Sequence, residues 1–406
     1  MNKKLLTMAV GTALAMGAMN ANAETTAYGQ LQMELASVTK DIDSDNVGVT
    51  TADGNNSDNQ SGLDADDNKR GRLGIKASED LGNGMTGLAK FEWQVDTSNA
   101  NLTDGTREAL VGLKGGFGTI EIGQLKGAYK YTGGVMYDAF VTTFLEARGS
   151  NGAMLGNDIQ TGELGNNKAK AWLQHAFVQD ALNYKNKWGI VSLWVTLGLQ
   201  GLNTETSDDR NTLGDMALAV SVGDKNWEAF VAMVGKEVRN NNGAGTLQNR
   251  GGFGATKIGG KFKFGGGSMS HTIKLQLESF ALIGDEQVDI DTGNATFGSA
   301  TAAVIDDEMT GSATFLGYDL GLGNTTITLQ AGNSVQSLDN QDGTTAGDYD
   351  RTRTYTALGV THKFSKQTRV FAGFRTTVQE TDNLPVGAAD PTLTTSVVSV
   401  GLRKDF

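Results

Sequence analysis

Residues 84–96, "GMTGLAKFEWQVD", set Met85, Gly87, Ala89, Phe91, Trp93 and Val95 against Thr86, Leu88, Lys90, Glu92, Gln94 and Asp96 in strict alternation. A period of two held this long is a β-strand with one apolar and one polar face. The same reading fits 271–279, 324–333 and 397–406, where Val398, Val400, Leu402 and Phe406 share one parity up to the final residue. Many of these strands run to roughly 9–13 residues, longer than the usual 5–6 of globular sheets and long enough for a tilted transmembrane strand.

The connections between strands constrain the fold further, because they alternate in length. Short turns fall near 82–84, 115–118, 186–189, 223–226, 265–268, 321–324 and 365–367, and are rich in Gly, Asn, Asp and Lys. Between them lie longer polar stretches near 40–69, 97–105, 128–178, 201–211, 239–251, 283–308, 338–350 and 381–391. Seven turns and eight loops join sixteen strands, with both termini on the short-turn side. A soluble sandwich has no reason to sort its connections by length. A closed barrel in an outer membrane does, and closure satisfies every backbone amide and carbonyl, as lipid requires. The expected fold is therefore all-β, a 16-stranded antiparallel transmembrane β-barrel with long extracellular loops and short periplasmic turns.

The first 23 residues read separately. Lys3 and Lys4 precede an apolar run from Leu5 to about Met19, then Ala21-Asn22-Ala23. That is a secretory signal, residues 1–23, cleaved after Ala23, and too short to anchor in a bilayer. The barrel is then expected over 24–406. With net charge −12 a nucleic-acid partner is not expected, and zero Cys removes thiol catalysis and Cys-ligated metal. The histidines, His175, His271 and His362, stand alone, and "GGFGATKIGGKF" (251–262) breaks the phosphate-loop spacing. No nucleophile elbow marks a hydrolase, although a barrel hydrolase stays open as a minor alternative. No catalytic residue, metal or cofactor is expected.

Several stretches resemble the general porins of Gram-negative outer membranes, in particular the trimeric sixteen-stranded type. These are "AYGQLQMEL" (27–35), "GRLGIKASEDLGNGMTGLAKFEW" (71–93), "REALVGLKGGFGTIEIGQ" (107–124), the very long third loop and the terminal Phe406. The resemblance implies a water-filled channel for passive diffusion of small hydrophilic solutes and ions, assembled as a homotrimer in a membrane of lipid and lipopolysaccharide. It also implies that Phe406 is read by the barrel-insertion machinery, although Lys404 stands where relatives often carry another aromatic. A substrate-specific channel and a structural or adhesive surface barrel are the alternatives.

In this family the third loop, here about 128–178, folds into the barrel and sets acidic groups against a basic wall. Asp138, Glu146 and Arg148 are its charged candidates. On the wall, Arg72 and Arg107 match family positions that project into the pore. Lys76 shares the parity of Arg72, and Lys90 and Glu92 share the polar parity of their strand. A charge on the lipid face costs ~2–4 kcal/mol at mid-bilayer, so these groups are expected to point inward. The parity around Arg107 is ambiguous, because Leu110 and Val111 are both apolar, and its assignment rests on the resemblance. Asn183 replaces an Arg common in relatives, and residues 41–67 hold eight Asp with no basic residue. Both features lean towards weak cation selectivity.

Overall fold

A computed structural model describes residues 23–43, 59–66, 70–100, 105–147, 177–199, 215–241, 247–284, 308–339, 349–382 and 392–406. The signal-peptide stretch 1–22 and Arg148 lie outside the described residues.

Seventeen strand segments form one antiparallel sheet in which β2 and β3 both pair with β1, β3 to β17 pair in chain order, and the last returns to the first. They are β1 (Ala23–Asp43), β2 (Asn59–Asp66), β3 (Arg72–Gly82), β4 (Met85–Gln94), β5 (Thr106–Gly115), β6 (Gly118–Leu125), β7 (Val178–Trp188), β8 (Val191–Gly198) and β9 (Asp215–Gly223). The second half comprises β10 (Trp227–Asn241), β11 (Leu247–Gly266), β12 (Met269–Gly284), β13 (Glu308–Leu322), β14 (Thr325–Asp339), β15 (Tyr349–Lys363), β16 (Thr368–Asp382) and β17 (Thr392–Asp405). Closure runs from Gln30↔Asp405 to Asp43↔Thr392 along β1 and β17. Beyond the last strand, Gly29 and Phe406 exchange both backbone hydrogen bonds at 3.0 Å. The barrel therefore has no free edge at the seam.

Seventeen segments occupy sixteen wall positions. β2 and β3 both lie antiparallel on the same side of β1, from Asp41↔Asn59 to Glu34↔Asp66 and then from Gln30↔Arg72 to Ala23↔Glu79. The register moves by two residues between them, so they take one strand position, the first segment ending at Asp66 and the second starting at Arg72. The wall is a closed 16-stranded barrel. The seven tight turns fall where the sequence placed them. The polar stretches 40–69 and 239–251, read as loops, are partly strand: β1 reaches Asp43, β2 starts at Asn59, and β10 and β11 leave only 242–246 between them. Hydrogen-bond pairing carries these strands on past the end of the apolar alternation, so patterning alone does not mark where they stop.

The barrel is inside out. On β17, Val398, Val400 and Leu402 are 58, 52 and 52 % exposed on the outer face, while Val397 and Ser399 are 1 and 2 % exposed on the inner face. Around the ring Leu35, Ile258, Leu277, Leu316, Leu329 and Leu358 also face out. Gln32, Glu34, Gln276, Glu278, Gln330 and Gln336 are buried inside. Apolar groups outside and hydrogen-bonded amides and carboxylates inside suit a hydrocarbon solvent and a wet lumen.

Candidate pore constriction

The connection between β6 and β7 enters the barrel. It begins with one helical turn, α1 (Ala128–Tyr131), followed by a 3₁₀ turn at Gly134–Met136. Its contacts then trace the inner wall. The Ala128 amide donates to Thr196 Oγ1 on β8 (2.9 Å), and Tyr137 donates to Glu228 on β10 (3.0 Å). Lys274 on β12 donates to the Tyr137 carbonyl (3.2 Å), and Tyr355 on β15 donates to the Leu145 carbonyl (2.6 Å). At the seam the Phe144 amide donates to Glu34 on β1 (3.0 Å), which also accepts from Ser399 on β17 (2.9 Å). The described part of the loop is thus tied to β8, β10, β12, β15 and β1.

Apolar side chains explain this path. Tyr129, Tyr137, Phe140 and Leu145 are buried between loop and wall, and Phe230 packs edge-on against Tyr137 (5.4 Å between rings). Asp138 and Glu146 sit within the loop at 3 and 2 % exposure. Asp138 accepts the amides of Phe140 (2.9 Å) and Ala147 (2.8 Å), one on each oxygen, and so closes the loop's tip. Glu146 accepts the Thr142 amide. Thr142 has φ of 58°, an unfavourable region for a β-branched residue. It is held there by Gln32 donating to its carbonyl (2.8 Å) and Arg70 donating to its hydroxyl (2.8 Å).

On the wall, Glu92 on β4 organises a cationic cluster. Tyr28 donates to it at 2.7 Å and Arg107 Nε at 2.8 Å. Arg72 and Lys90 lie 3.8 and 3.7 Å from the same carboxylate. Glu108 accepts from Lys90 and lies 3.3 Å from Lys126. Arg70 lies within electrostatic reach of Arg72, Arg107, Arg369 and Arg403. Of the residues singled out from sequence, the structure brings Arg72, Lys90, Glu92 and Arg107 into one cluster. Lys76 pairs in register with Lys90 but is exposed and four residues along β3 towards the short-turn end.

The ambiguity at Arg107 has a backbone cause. Glu92 pairs with Glu108 but Trp93 pairs with Thr106, so Arg107 is the extra residue of a β-bulge. A bulge re-aims side chains, and here both Arg107 and Glu108 reach carboxylate or ammonium partners on β4. Arg70 shares the parity of Arg72 but precedes β3, outside the alternating run from which the wall residues were read. Gln32 and Glu34 were legible in "GQLQMEL", where Gln30, Gln32 and Glu34 alternate with apolar residues. Asn183 is fully buried. Its amide donates to Glu121 (3.2 Å) and the Lys126 carbonyl (3.1 Å), and its oxygen accepts from Trp194 (3.1 Å) and Thr196 (2.6 Å). It ties the start of the loop to the wall.

In the loop's first turn Lys130 is buried beside the Tyr131 and Phe177 rings, at 5.5 and 5.4 Å. Burial, with Arg107 nearby, holds its ammonium down to about 7. Arg107 itself lies over Phe177 at 4.9 Å.

A family model described as "Gram-negative porin" matches residues 9–383. The major outer membrane protein P.IB of Neisseria gonorrhoeae is 42 % identical over 62 residues, which is 15 % of this chain and 18 % of that protein. The protein of the same name from Neisseria lactamica is 37 % identical over 62 residues, with the same shares. The matched stretch therefore spans under a fifth of these curated relatives. Among solved structures, the anion-selective porin from Comamonas acidovorans superposes with a TM-score of 0.62 at 17 % identity, covering 95 % of this chain and all of that one. The trimer form of OmpT from Vibrio cholerae gives 0.56 at 14 %, covering 95 and 100 %. These structural likenesses establish the barrel fold. With a family match over most of its length, and a closed sixteen-stranded wall enclosing an infolded loop, the chain belongs to the Gram-negative porin family.

Proposed function

We propose that the protein is an outer-membrane channel for passive diffusion of small hydrophilic solutes and ions. The observation that carries this reading is the charged lumen wall at Glu92 facing a loop folded into the same lumen. Such an arrangement narrows the barrel without plugging it with an apolar core, and lining charge then selects what passes. Short turns face the periplasm in this reading, and residues 1–23 direct export and are removed. Phe406 acts as the assembly signal, supported by its reciprocal pairing with Gly29. A homotrimer is supported by the trimer form of one fold neighbour.

The sign of selectivity has two readings. Net charge −12 and the Asp-rich stretch 41–67 favour weak cation preference. The wall favours anions, because Arg70, Arg72, Lys90, Arg107 and Lys126 outnumber Glu92 and Glu108 there. Charges beyond a Debye length of ~10 Å at 0.1 M salt are largely screened, so the wall decides the sign at ordinary ionic strength. We take weak anion preference at 0.1 M or above, drifting towards cations in dilute salt as the outer loops come within range.

The test is the current through purified protein in a planar bilayer under a tenfold KCl gradient. Large stable steps with a chloride-favouring zero-current potential support both parts. Silence from a folded barrel overturns the open-channel reading and leaves the substrate-gated or adhesive one. A potassium-favouring potential at 0.1 M and above overturns the wall argument alone.

A further inference from the structure

The loop rests on a depression in the inner wall that two glycines create. Gly359 on β15 and Gly373 on β16 are directly opposite each other in register. The inward positions beside them are filled, by Ala357 and Tyr355 on β15 and by Phe371 and Arg375 on β16. The seat is therefore one cross-strand pair wide. Loop side chains occupy it: Phe140 lies over Gly359 and Leu145 over Gly373. A methyl group built at Gly359 would stand 2.8 Å from two ring carbons of Phe140, and one at Gly373 would stand 2.5 Å from Leu145 Cδ1.

Neither glycine has a positive φ, so the backbone does not demand Gly at either place. Glycine in a strand interior weakens the strand and marks a site of close approach. What approaches here is the anchoring pair of the infolded loop, whose spacing is fixed by the Asp138 staple between Phe140 and Ala147. Carbon atoms settle at ~3.5–4.0 Å, so a side chain at the seat lifts the loop by about 1 Å. The lift carries it away from β15 and β16 and into the lumen.

We propose that Gly359 and Gly373 are positioning residues that set how far the loop stands off the wall, and thereby the width of the constriction. The inference rests on the channel reading. It adds that pore width is fixed from the far side of the loop, by an absent side chain, and not only by groups that line the opening.

The experiment compares single-channel conductance and the size cut-off for polyethylene glycols in wild type, Gly359→Ala, Gly373→Ala, Leu145→Ala and the double variant Gly373→Ala with Leu145→Ala. Each glycine variant is expected to lose conductance, since a narrower constriction passes less current, and to exclude smaller polymers. The double variant is expected to recover towards wild type, because the added methyl then meets no leucine. An added methyl also approaches the sheet itself, at 2.9 Å from the Ala372 carbonyl and 2.7 Å from the Leu358 carbonyl. Leu145→Phe therefore serves as a second probe that fills the seat from the loop side and leaves the wall residues unchanged, and it is expected to narrow the pore likewise. Unchanged conductance and cut-off in Gly373→Ala and Leu145→Phe overturn the proposal. So does a double variant that stays as narrow as Gly373→Ala, which would place the effect in the sheet. A wild-type barrel that does not conduct sinks the channel reading instead, and this proposal with it.

Discussion

Replacing Glu92 by Gln removes one negative charge from the centre of the cationic wall and leaves its shape nearly intact. The amide oxygen can still accept from Tyr28 or from Arg107, which now lie at 2.7 and 2.8 Å from the carboxylate. An ion passing about 8 Å from the site would feel a change of about 0.5 kcal/mol at a dielectric constant near 80. Screening with a Debye length of ~10 Å at 0.1 M salt cuts this roughly by half. The change has opposite signs for chloride and potassium, so the two halves add to about 0.5 kcal/mol in the permeability ratio, where ~1.4 kcal/mol is tenfold. The expected result is a rise of about twofold in chloride over potassium permeability, read from the zero-current potential under a tenfold KCl gradient. Low-dielectric walls focus the field and push the effect upward. Arg107→Gln removes a positive charge from the same cluster and is expected to move the ratio by a similar factor the other way. Two variants that shift the potential in the same direction, or neither that shifts it, would refute the view that this cluster sets selectivity. Glu92→Gln should also lower the heat-modification temperature, since charge-assisted hydrogen bonds contribute about 1.5–3 kcal/mol.

Other outcomes follow from single contacts. Asp138→Asn leaves one oxygen to serve the Phe140 and Ala147 amides; it should loosen the loop tip by about 1–3 kcal/mol, visible as open-channel current noise. Lys130, held down to about 7 inside the fold, keeps its proton to ~10.4 when unfolded. The unfolded chain thus binds more protons between those values, so stability rises with pH across that window. Thermal unfolding at pH 7 and 9.5 should show the gain in wild type and not in Lys130→Met, and equal gains would contradict it. Val400→Arg places a charge on the outward face and should cost ~2–4 kcal/mol in reversible folding into lipid, whereas Ser399→Ala, one residue away, loses only its bond to Glu34. Deleting Phe406 removes both of its backbone bonds to Gly29 and should slow barrel formation in vesicles.

Strands, turns and closure were legible because period two and turn chemistry are local properties. Val398, Val400 and Leu402 announce the lipid face by spacing alone, and GNG at 82–84 announces a turn by residue type. The constriction was legible only where parity held. Lys90 and Glu92 could be assigned to one face, but the bulge at Arg107 shifts the parity that such an argument needs, and Arg70 lies before the strand whose alternation would have placed it. Loop carboxylates pose a different difficulty. Nothing near Asp138 in sequence tells whether its oxygens meet lumen water or the amides of Phe140 and Ala147, because the answer depends on a chain reversal nine residues long. The glycine seat was hidden for the same reason: Gly359 and Gly373 acquire meaning only from a loop more than two hundred positions away.

The seam between β1 and β17 has a consequence for how the molecule is checked before it is used. Glu34 and Ser399, bonded across it, are 365 positions apart, and every other pairing in the wall joins neighbours along the chain. A ring assembled this way cannot shut until all intermediate strands are in register, because one slipped pair displaces the two ends relative to each other. Shutting is thus a test that the whole chain passes or fails at once. Glu34 also receives the Phe144 amide, so the same carboxylate that bridges the seam holds the loop. A barrel that has not closed lacks half of that anchor, and its gate is left unset until the wall is finished.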